Sequence, residues 1–365
     1  MKRVLCVVGS MNAGGAETFL MKMYRRLDKT KYQMDFAVAV NEKGFYDDEI
    51  VAMGGKIFHI TPKSRGLLKN FNDIKNLVRT EDYKYVLRTS QHSLSALELF
   101  AAQLGGANKR VFRSSNSNTV TGSKKSRILH NLCAFMPRFF ANVKMAPSTE
   151  AAEFMFGKNT VKKEKVFLMH NAVDLDIYKY DEDARTQVRR ELNLENKNVV
   201  GHVGRFSTQK NHSFLIDVFN EIAKKDANAH LVLVGIGELM DEIREKVRKY
   251  NLSEKVTFLG SRSDVPRLLN AFDVLLFPSF YEGMPNVVIE SQATGLPCIV
   301  SDTITKEADI TGLVTYLPLS AGAEKWCDTV IEKGGTERKN PKEAFVKNGY
   351  DIQSAADDFV KAVFD

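Results

Sequence analysis

The chain has 365 residues, of which 44% are hydrophobic and 27% charged, and its formal net charge at pH 7 is +7. This length has room for about two domains with ample cores. No apolar run approaches the roughly 18 residues that a membrane-spanning helix needs, so the composition argues against an integral membrane protein and predicts a soluble globular one.

The first apolar run, at the N-terminus, predicts a β-strand rather than a secretory signal peptide. The segment MKRVLCVVGS places basic residues before an apolar stretch, as signal peptides do. That stretch is short, however, and it runs directly into a glycine turn and a helical pattern. The 4 cysteines are scattered without CxxC spacing, and we expect them to be reduced residues of a cytoplasmic protein.

Short apolar runs alternate with helical patterns along the chain. In the first half, strands are predicted at residues 4–9, 34–40, 56–60, 85–89, 110–112, 144–146 and 166–169, and helices at residues 16–27, 93–104 and 124–140. In the second half, strands are predicted at residues 199–204, 230–234, 256–259, 274–277 and 298–300, and helices at residues 212–225, 240–250, 264–271, 285–294 and 351–364. This alternation predicts the α/β class, with doubly wound parallel sheets and right-handed crossovers.

The segment NAVDLDIY, at residues 171–178, separates the two series of elements, and we place the domain boundary within it. The predicted domains span residues 1–172 and 173–348. Two Rossmann-like domains of this kind are expected to face a cleft at the carboxyl ends of their strands, because doubly wound sheets bind ligands there.

Charge is divided unevenly between the two halves. Residues 1–175 contain 28 Lys and Arg against 15 Asp and Glu, whereas residues 176–365 contain 24 against 30. No acidic residue occurs between Glu98 and Glu150. This basic region is either a solvated face or a face that meets an anionic membrane or a lipid phosphate. Nucleic acid is not favoured, because no recognised binding module accompanies the charge.

Within the basic region, residues 126–143 mix apolar side chains with flanking lysines and arginines. An apolar helix face usually packs into a core. The alternative is a helix that lies on the inner face of the cell membrane, with its basic residues at the lipid headgroups. The protein would then be peripheral on that membrane.

Two segments that follow predicted strands carry features of phosphate binding. The first strand ends in GSMNAGGAE, where Gly14 and Gly15 let the backbone approach a phosphate closely, although such a pair is also typical of a tight turn. In the second half, Arg205 follows a strand and Lys210 opens the next helix. Arginine bridges phosphate oxygens and lysine adds a compact charge, so we expect both at a diphosphate rather than at a surface turn.

The most informative stretch is FPSFYEGMPNVVIESQATGLPCIVSD. Pro285 suits the first turn of a helix, which Gly295 and Pro297 end. Glu282 lies at the mouth of that helix, and Glu290, further inside, points back toward it. A helix N-terminus binds anions, and carboxylates accept hydrogen bonds from hydroxyl groups. Together these features predict a nucleotide-sugar site.

The segments GGAE, HNAVD, GRFSTQKN and EGMPNVVIE resemble those of retaining glycosyltransferases of family 4, which have the GT-B fold, and especially those of bacterial capsule and exopolysaccharide assembly. The likeness covers nearly the whole chain, and the E-x7-E spacing of Glu282 and Glu290 is its most specific element. It implies a retaining hexosyltransferase that moves a sugar from a nucleoside-diphosphate sugar, such as a UDP-sugar, to a saccharide or lipid-linked acceptor. It also implies that residues 349–365 form a helix that crosses back onto the first domain.

The resemblance further implies roles for individual residues. In such enzymes the first glutamate contacts hydroxyls of the transferred sugar and the second holds the nucleotide ribose. The arginine and the lysine bind the diphosphate and stabilise it as it leaves. Carried onto this chain, the catalytic residues are Glu282, Arg205 and Lys210. The other implied donor contacts are Glu290, Gly14, Gly15, Leu259, Gly283, Met284, Pro285, Asn286 and Val287.

One region departs from the pattern of the family. Such enzymes commonly place a histidine near the reacting sugar after the strand that here reads RVFRSSN, where this chain has Arg113, Ser115 and Asn116. These three residues are candidates for the acceptor or sugar side. Either the histidine is dispensable, or the protein is impaired or specialised. The alternative functions are therefore an impaired nucleotide-sugar-binding partner subunit, or a nucleotide-sugar isomerase or hydrolase.

Neither a cofactor nor a metal is expected. The DLD at residues 174–176 mimics a cation-binding DxD motif, but it lies in the connector between the domains rather than after a strand. We expect packing or polar contacts, not metal binding, of four histidines whose spacing fits no ligand set: His130, His170, His202 and His212.

Overall fold

The computed structural model of the chain describes residues 1–12, 14–115, 124–163, 166–282 and 284–365. The chain divides into two compact units, Met1–Ala172 with Ile352–Asp365 and Val173–Asp351. Each unit is built on its own parallel sheet, with a buried apolar cluster on each face of that sheet. The doubly wound α/β class that the sequence predicts is therefore confirmed.

The first unit is built on seven strands: β1 Lys2–Val8, β2 Tyr32–Val38, β3 Ile57–His59, β4 Tyr85–Ser90, β5 Lys109–Ser114, β6 Val143–Ala146 and β7 Phe167–Leu168. They pair in the order β3-β2-β1-β4-β5-β6-β7. The helices described in this part are α1 Gly15–Arg26, α2 Asp47–Ala52, α3 Leu67–Thr80, α4 Leu97–Gly105, α5 Lys124–Leu132, α6 Met136–Phe140, α7 Thr149–Phe156 and α8 Lys158–Lys162. Successive side chains of a strand point to opposite faces, so Val4 and Cys6 join one cluster while Leu5 and Val7 join the other.

The single helix predicted over residues 124–140 is wrong, because the chain forms the two helices α5 and α6 instead. Pro137 lies in the first turn of α6, which has Phe135 as its N-cap. In a continuous helix Pro137 would have no N–H to donate to the carbonyl of Cys133, and its ring would clash with that carbonyl. The helix therefore ends and begins again before the proline.

The second unit is built on six strands: β8 Asn198–Val203, β9 Ala229–Val234, β10 Val256–Gly260, β11 Val274–Phe277, β12 Cys298–Ser301 and β13 Val314–Leu317. They pair in the order β10-β9-β8-β11-β12-β13. The helices described in this part are α9 Glu182–Glu191, α10 His212–Lys225, α11 Met240–Lys249, α12 Val265–Ala271, α13 Asn286–Ala293, α14 Gly322–Lys333 and α15 Lys342–Lys347. The helix predicted over residues 285–294 is α13, with Pro285 as its N-cap.

The last helix, α16 Ile352–Phe364, belongs to the first unit. Its buried face packs there, with the ring of Phe359 against that of Phe19 at 6.3 Å between centroids. The ring of Phe364 lies 4.8 Å from that of Tyr32, and the ammonium group of Lys2 donates to the carbonyl oxygen of Phe364 at 2.8 Å. These contacts hold the chain terminus against the first residues of β1 and β2.

Two further observations bear on the sequence predictions. The four cysteines, Cys6, Cys133, Cys298 and Cys327, are buried free thiols, as expected. Among the described residues, no helix combines the length and the apolar character that crossing a bilayer requires.

The order of strands in the second unit determines where its site can form. The chain builds the sheet outward from β8 to β9 and β10, and then returns to add β11 on the other side of β8. At such a reversal, the loops that follow two adjacent strands diverge and leave a crevice at the carboxyl ends. Here those loops are residues 204–211 after β8 and residues 278–285 after β11, which are the segments that the sequence singles out.

Candidate functional site

The two loops at the reversal are held together by hydrogen bonds. The amide of Phe280 donates to the carbonyl oxygen of Gln209 at 2.9 Å, and the side-chain amide of Gln209 donates to the carbonyl oxygen of Tyr281 at 3.0 Å. The side chain of Asn211 donates to the carbonyl oxygen of Pro278 at 3.2 Å. Because these bonds run in both directions between the loops, side chains from the two loops have fixed relative positions.

The loops bring Lys210 and Glu282 into direct contact. The Nζ of Lys210 donates to Oε1 of Glu282 at 2.7 Å, and the two side chains are only 18% and 9% exposed. The same ammonium group lies 4.6 Å from the centroid of the Phe277 ring. The site therefore contains a mostly buried ion pair, in which the field of each charge is screened less than it would be in water.

Glycine at position 204 makes room for this lysine. A Cβ at that position would lie 3.4 Å from Cδ of Lys210 and 2.8 Å from Nε2 of His202. The residue after β9 is also closely packed here, since a Cβ on Gly235 would lie 2.1 Å from the carbonyl oxygen of Gly204. The turn after β8 is thus fitted tightly around the stem of Lys210.

Two buried histidines, His202 and His212, lie near Lys210. His202 bonds through Nδ1 to the carbonyl oxygen of Leu276 at 2.8 Å, and the ring of His212 stacks on that of Phe206 with 4.1 Å between centroids. Burial, with a smaller contribution from Lys210, lowers the pKa of His212 to about 4. Burial also lowers the pKa of His202 well below its ordinary value. Both rings are therefore neutral near pH 7 and serve as packing, as the sequence predicts.

Arg205 is placed differently from Lys210. Its side chain is 74% exposed, and its guanidinium lies 3.1 Å from Oε2 of Glu238. The structure thus brings Lys210 to Glu282 and pairs Arg205 with a different carboxylate. The sequence contains no sign of the Glu238 contact, because that residue follows β9 rather than β8 or β11.

Glu290 lies on α13, half-buried, where it accepts a hydrogen bond from the hydroxyl of Tyr178. Burial, with a contribution from this carboxylate, raises the pKa of Tyr178 well above the ordinary value for a phenol. Sequence reasoning missed Tyr178. Its only signal was its place in the connector at residues 171–178, next to the predicted domain boundary.

The start of α13 carries the other predicted donor contacts. Pro285 is buried, and Met284, Asn286 and Val287 are half-buried. The hydroxyl of Tyr350 lies 3.9 Å from the sulfur of Met284. Helix N-termini carry a partial positive charge, so this end of α13 suits an anion. Gly283 lies outside the described residues.

Leu259 lies half-buried near the end of β10, where the pairing with β9 shifts its register. The next residue, Gly260, accepts a hydrogen bond from the amide of Gly235 at 2.8 Å. The loop predicted to hold the nucleobase therefore follows a strand adjacent to β9, in the same unit as Lys210 and Glu282.

Three of the residues that the sequence predicts at the site lie in the first unit: Gly14, Gly15 and Ser115. Gly14 is the N-cap of α1, and a Cβ on it would lie 2.4 Å from a carboxylate oxygen of Glu17, while a Cβ on Gly15 would meet no atom within 4 Å. Ser115 is half-buried, and its amide donates to the carbonyl oxygen of Ser90 at 3.1 Å. Asn116 lies outside the described residues.

Arg113 is 1% exposed. Its guanidinium lies 3.6 Å from the centroid of the Phe19 ring and donates to Oδ1 of Asn171 at 2.9 Å. Burial lowers the pKa of Arg113 to about 9. In this structure the side chain stacks inside the first unit and is not presented to solvent, as an acceptor-binding residue would have to be.

Metal-binding residue types do not cluster in the described residues, where no group of three His, Cys, Asp or Glu could hold an ion. In the DLD segment, the amide of Asp176 donates to Oδ1 of Asp174 at 3.2 Å, which is the geometry of a local turn.

Comparison with known proteins adds to this geometry. A family model described as glycosyl transferases group 1 matches residues 184–312. EpsF of Bacillus subtilis (strain 168), a protein named as a glycosyltransferase, is 35% identical over 363 residues, which cover 96% of this chain and 94% of EpsF. An Escherichia coli protein named UDP-Gal:alpha-D-GlcNAc-diphosphoundecaprenol alpha-1,3-galactosyltransferase is 29% identical over 246 residues, 64% of this chain and 62% of that protein.

Among solved structures, Anabaena HepE in complex with UDP and glucose superimposes with a TM-score of 0.77 over 99% of both chains. Its sequence is only 19% identical, so the similarity shows a shared fold and nothing about ligands.

Proposed function

The chain belongs to the group 1 glycosyltransferases, and from that premise we propose that it transfers a hexose from a UDP-sugar to a lipid-linked saccharide acceptor in cell-surface polysaccharide assembly. We further propose the retaining chemistry of family 4, with no metal or other cofactor. The UDP-Gal donor and the diphosphoundecaprenol-linked GlcNAc acceptor named for the Escherichia coli relative support the donor and acceptor classes. The UDP-sugar in the name of that relative also supports uridine as the nucleoside of the donor.

The observation that carries the proposal is the ion pair of Lys210 and Glu282 at 2.7 Å. An ammonium group has three hydrogens to donate, and Glu282 takes one of them. The others are available to diphosphate oxygens. A carboxylate likewise accepts several hydrogen bonds, so Glu282 can hold hydroxyls of the sugar without releasing the lysine. The pair can therefore bind the two sides of the bond that breaks.

The chemistry follows from those two contacts. The bond between the anomeric carbon and the diphosphate oxygen breaks, which leaves an oxocarbenium-like sugar and a diphosphate with increased negative charge. Lys210, Arg205 and the N-terminus of α13 stabilise that charge electrostatically. The acceptor hydroxyl attacks the face that the diphosphate leaves, and its proton passes to the departing phosphate oxygen, so the configuration is retained.

The remaining residues position the donor. Glu290, oriented by Tyr178, accepts the ribose hydroxyls, and the loop at Leu259 contacts the nucleobase. We keep Gly14 and Gly15 as proposed backbone contacts to the donor.

An assay of nucleotide release tests the proposal against its alternatives. A thermal-shift screen of nucleoside-diphosphate sugars first identifies the donor, because a ligand that binds only the folded protein raises its apparent stability. The purified chain is then incubated with that donor, with and without a lipid-linked saccharide. We expect UDP release that depends on the acceptor and a product with the anomeric configuration of the donor. Binding without release on any acceptor would instead indicate an inactive partner subunit, and an altered nucleotide sugar without transfer would indicate an isomerase.

A further inference from the structure

An exposed apolar surface lies on α5 and α6, remote in sequence from the proposed donor site. We propose that this α5–α6 surface docks the protein onto an anionic membrane. Five large apolar side chains within twelve residues are exposed, with Leu132 at 69% and Phe139 at 75%. The full set is Ile128, Leu129, Leu132, Phe135 and Phe139. Single exposed apolar residues are ordinary on protein surfaces, but a contiguous group marks a contact surface.

The segment is held in place by its opposite face. His130, Cys133 and Pro137, at spacings of three and four residues, are all buried. The ring of His130 stacks on that of Phe154 with 4.3 Å between centroids, and the hydroxyl of Ser93 donates to the carbonyl oxygen of His130 at 2.6 Å. Since one face of the segment fits the unit, the apolar side chains on the other face are presented outward by a fixed backbone. The sequence alternative of a simple core helix is therefore wrong for this face.

Basic residues frame the α5–α6 surface. Arg127 and Arg138 are exposed, and among the described residues neither has an acidic partner within salt-bridge distance. The basic interval between Glu98 and Glu150 contains no acidic residue at all. Apolar side chains that enter the acyl boundary, with cations at the level of anionic headgroups, are the pattern of an interfacial helix.

The same charge argues against a second copy of the chain as the occupant. An interface between two identical surfaces would bring these cations together without carboxylates from the segment to pair with them, and like charges placed together disfavour association. The helices are also far too short to span a bilayer, so they would lie in its plane. An anionic lipid surface satisfies both the apolar and the cationic parts.

Vesicle co-sedimentation of the full chain tests the inference without donor or acceptor, so its outcome is independent of the proposed reaction. Vesicles of phosphatidylcholine with phosphatidylglycerol, whose anionic headgroups give the surface a negative potential, are compared with vesicles of phosphatidylcholine alone. We expect binding to the anionic vesicles that falls with added salt. Phe139→Ser should weaken it about tenfold or more through lost apolar burial, and Arg127→Gln about fivefold.

Leu68→Ser is the matched control, because Leu68 is 81% exposed on α3 and the substitution should leave vesicle binding unchanged. Unfolding curves of all variants verify that they fold. Equal binding of Phe139→Ser and the unchanged chain, or equal binding to vesicles with and without anionic lipid, would overturn the inference. Sedimentation velocity adds one more outcome: a dimer that Phe139→Ser dissociates would assign the α5–α6 surface to a second copy instead.

Discussion

Replacing Lys210 with methionine removes the charge of the central ion pair while keeping most of the length and apolar surface of the stem. A charged hydrogen bond to a ligand contributes about 1.5–3 kcal/mol. Loss of the contacts to the diphosphate should therefore weaken UDP binding by about one to two orders of magnitude. The loss should be similar for UDP and for the UDP-sugar, because both contain the diphosphate.

The partner substitution Glu282→Gln makes the prediction specific. If Glu282 holds hydroxyls of the sugar and leaves the diphosphate to Lys210, Glu282→Gln should weaken binding of the UDP-sugar more than binding of UDP, because the glutamine amide oxygen can still accept a hydrogen bond from Lys210. Titration calorimetry of the two variants with the two ligands gives four affinities. Two results would refute this division of roles: an unchanged affinity of Lys210→Met for UDP, or an equal loss of affinity for UDP and for the UDP-sugar in Glu282→Gln.

Stability provides an independent measurement of the same pair. The side chains are 18% and 9% exposed, so the pair lies between a surface ion pair, worth about 0–1 kcal/mol, and a fully buried one, whose disruption costs about 3–5 kcal/mol. We expect Lys210→Met to lower the free energy of unfolding by about 1–3 kcal/mol. The matched control is Lys224→Met, which breaks the 2.6 Å pair with Glu221 on α10, where Lys224 is 61% exposed. That control should cost less than about 0.5 kcal/mol and leave UDP binding intact.

Three further predictions concern Tyr178, His212 and metal dependence. Tyr178→Phe removes the hydroxyl that orients Glu290. Because a hydrogen bond contributes about 0.5–1.5 kcal/mol net, this substitution should weaken UDP binding about twofold to tenfold, as measured by calorimetry. Tighter binding would instead show that the tyrosine hydroxyl competes with the ribose for Glu290. The pKa of His212 is about 4 in the folded protein against about 6.5 when unfolded, so the unfolded chain binds more protons between those values and stability falls as the pH falls through that window. Between pH 7 and pH 4, the free energy of unfolding of His212→Phe should therefore fall by up to about 3 kcal/mol less than that of the unchanged chain, as measured by denaturant unfolding. The same dependence on pH in both proteins would contradict this prediction. Excess EDTA should leave the transfer rate unchanged; a loss that Mg²⁺ restores would show metal dependence.

The fold could be predicted from the sequence because its signals are local. Apolar runs of strand length alternate with helical patterns, and Pro285 and Gly295 mark the two ends of α13. The strand β13 was missed because only Val314 of its four residues is buried, so its apolar pattern is weak. The break between α5 and α6 could have been predicted, since Pro137 cannot continue a helix.

The site could be predicted only where a loop fixes the side chain. Lys210 and Glu282 meet because hydrogen bonds of Gln209 tie the two loops together. The sequence already placed both loops after strands of the same predicted domain, but the pairing of β8 with β11 is known only from the structure. The contacts of Arg205 with Glu238 and of Tyr178 with Glu290 join segments that no local pattern relates. Such pairs depend on the packing of the whole unit, which a single sequence does not reveal.

The burial of the Lys210–Glu282 pair bears on how the enzyme would reach its transition state. A lysine in open solvent would have to be desolvated and oriented when the donor arrives, whereas Glu282 and the Phe277 ring already hold this ammonium group out of water. Preorganised charge of this kind costs little reorganisation as the diphosphate gains charge. Since the same carboxylate is proposed to hold the sugar, any shift of Glu282 on donor binding should move Lys210 with it. The sugar would then influence how well the leaving group is stabilised, so UDP-sugars that differ at the hydroxyl held by Glu282 should differ in turnover rate as well as in affinity.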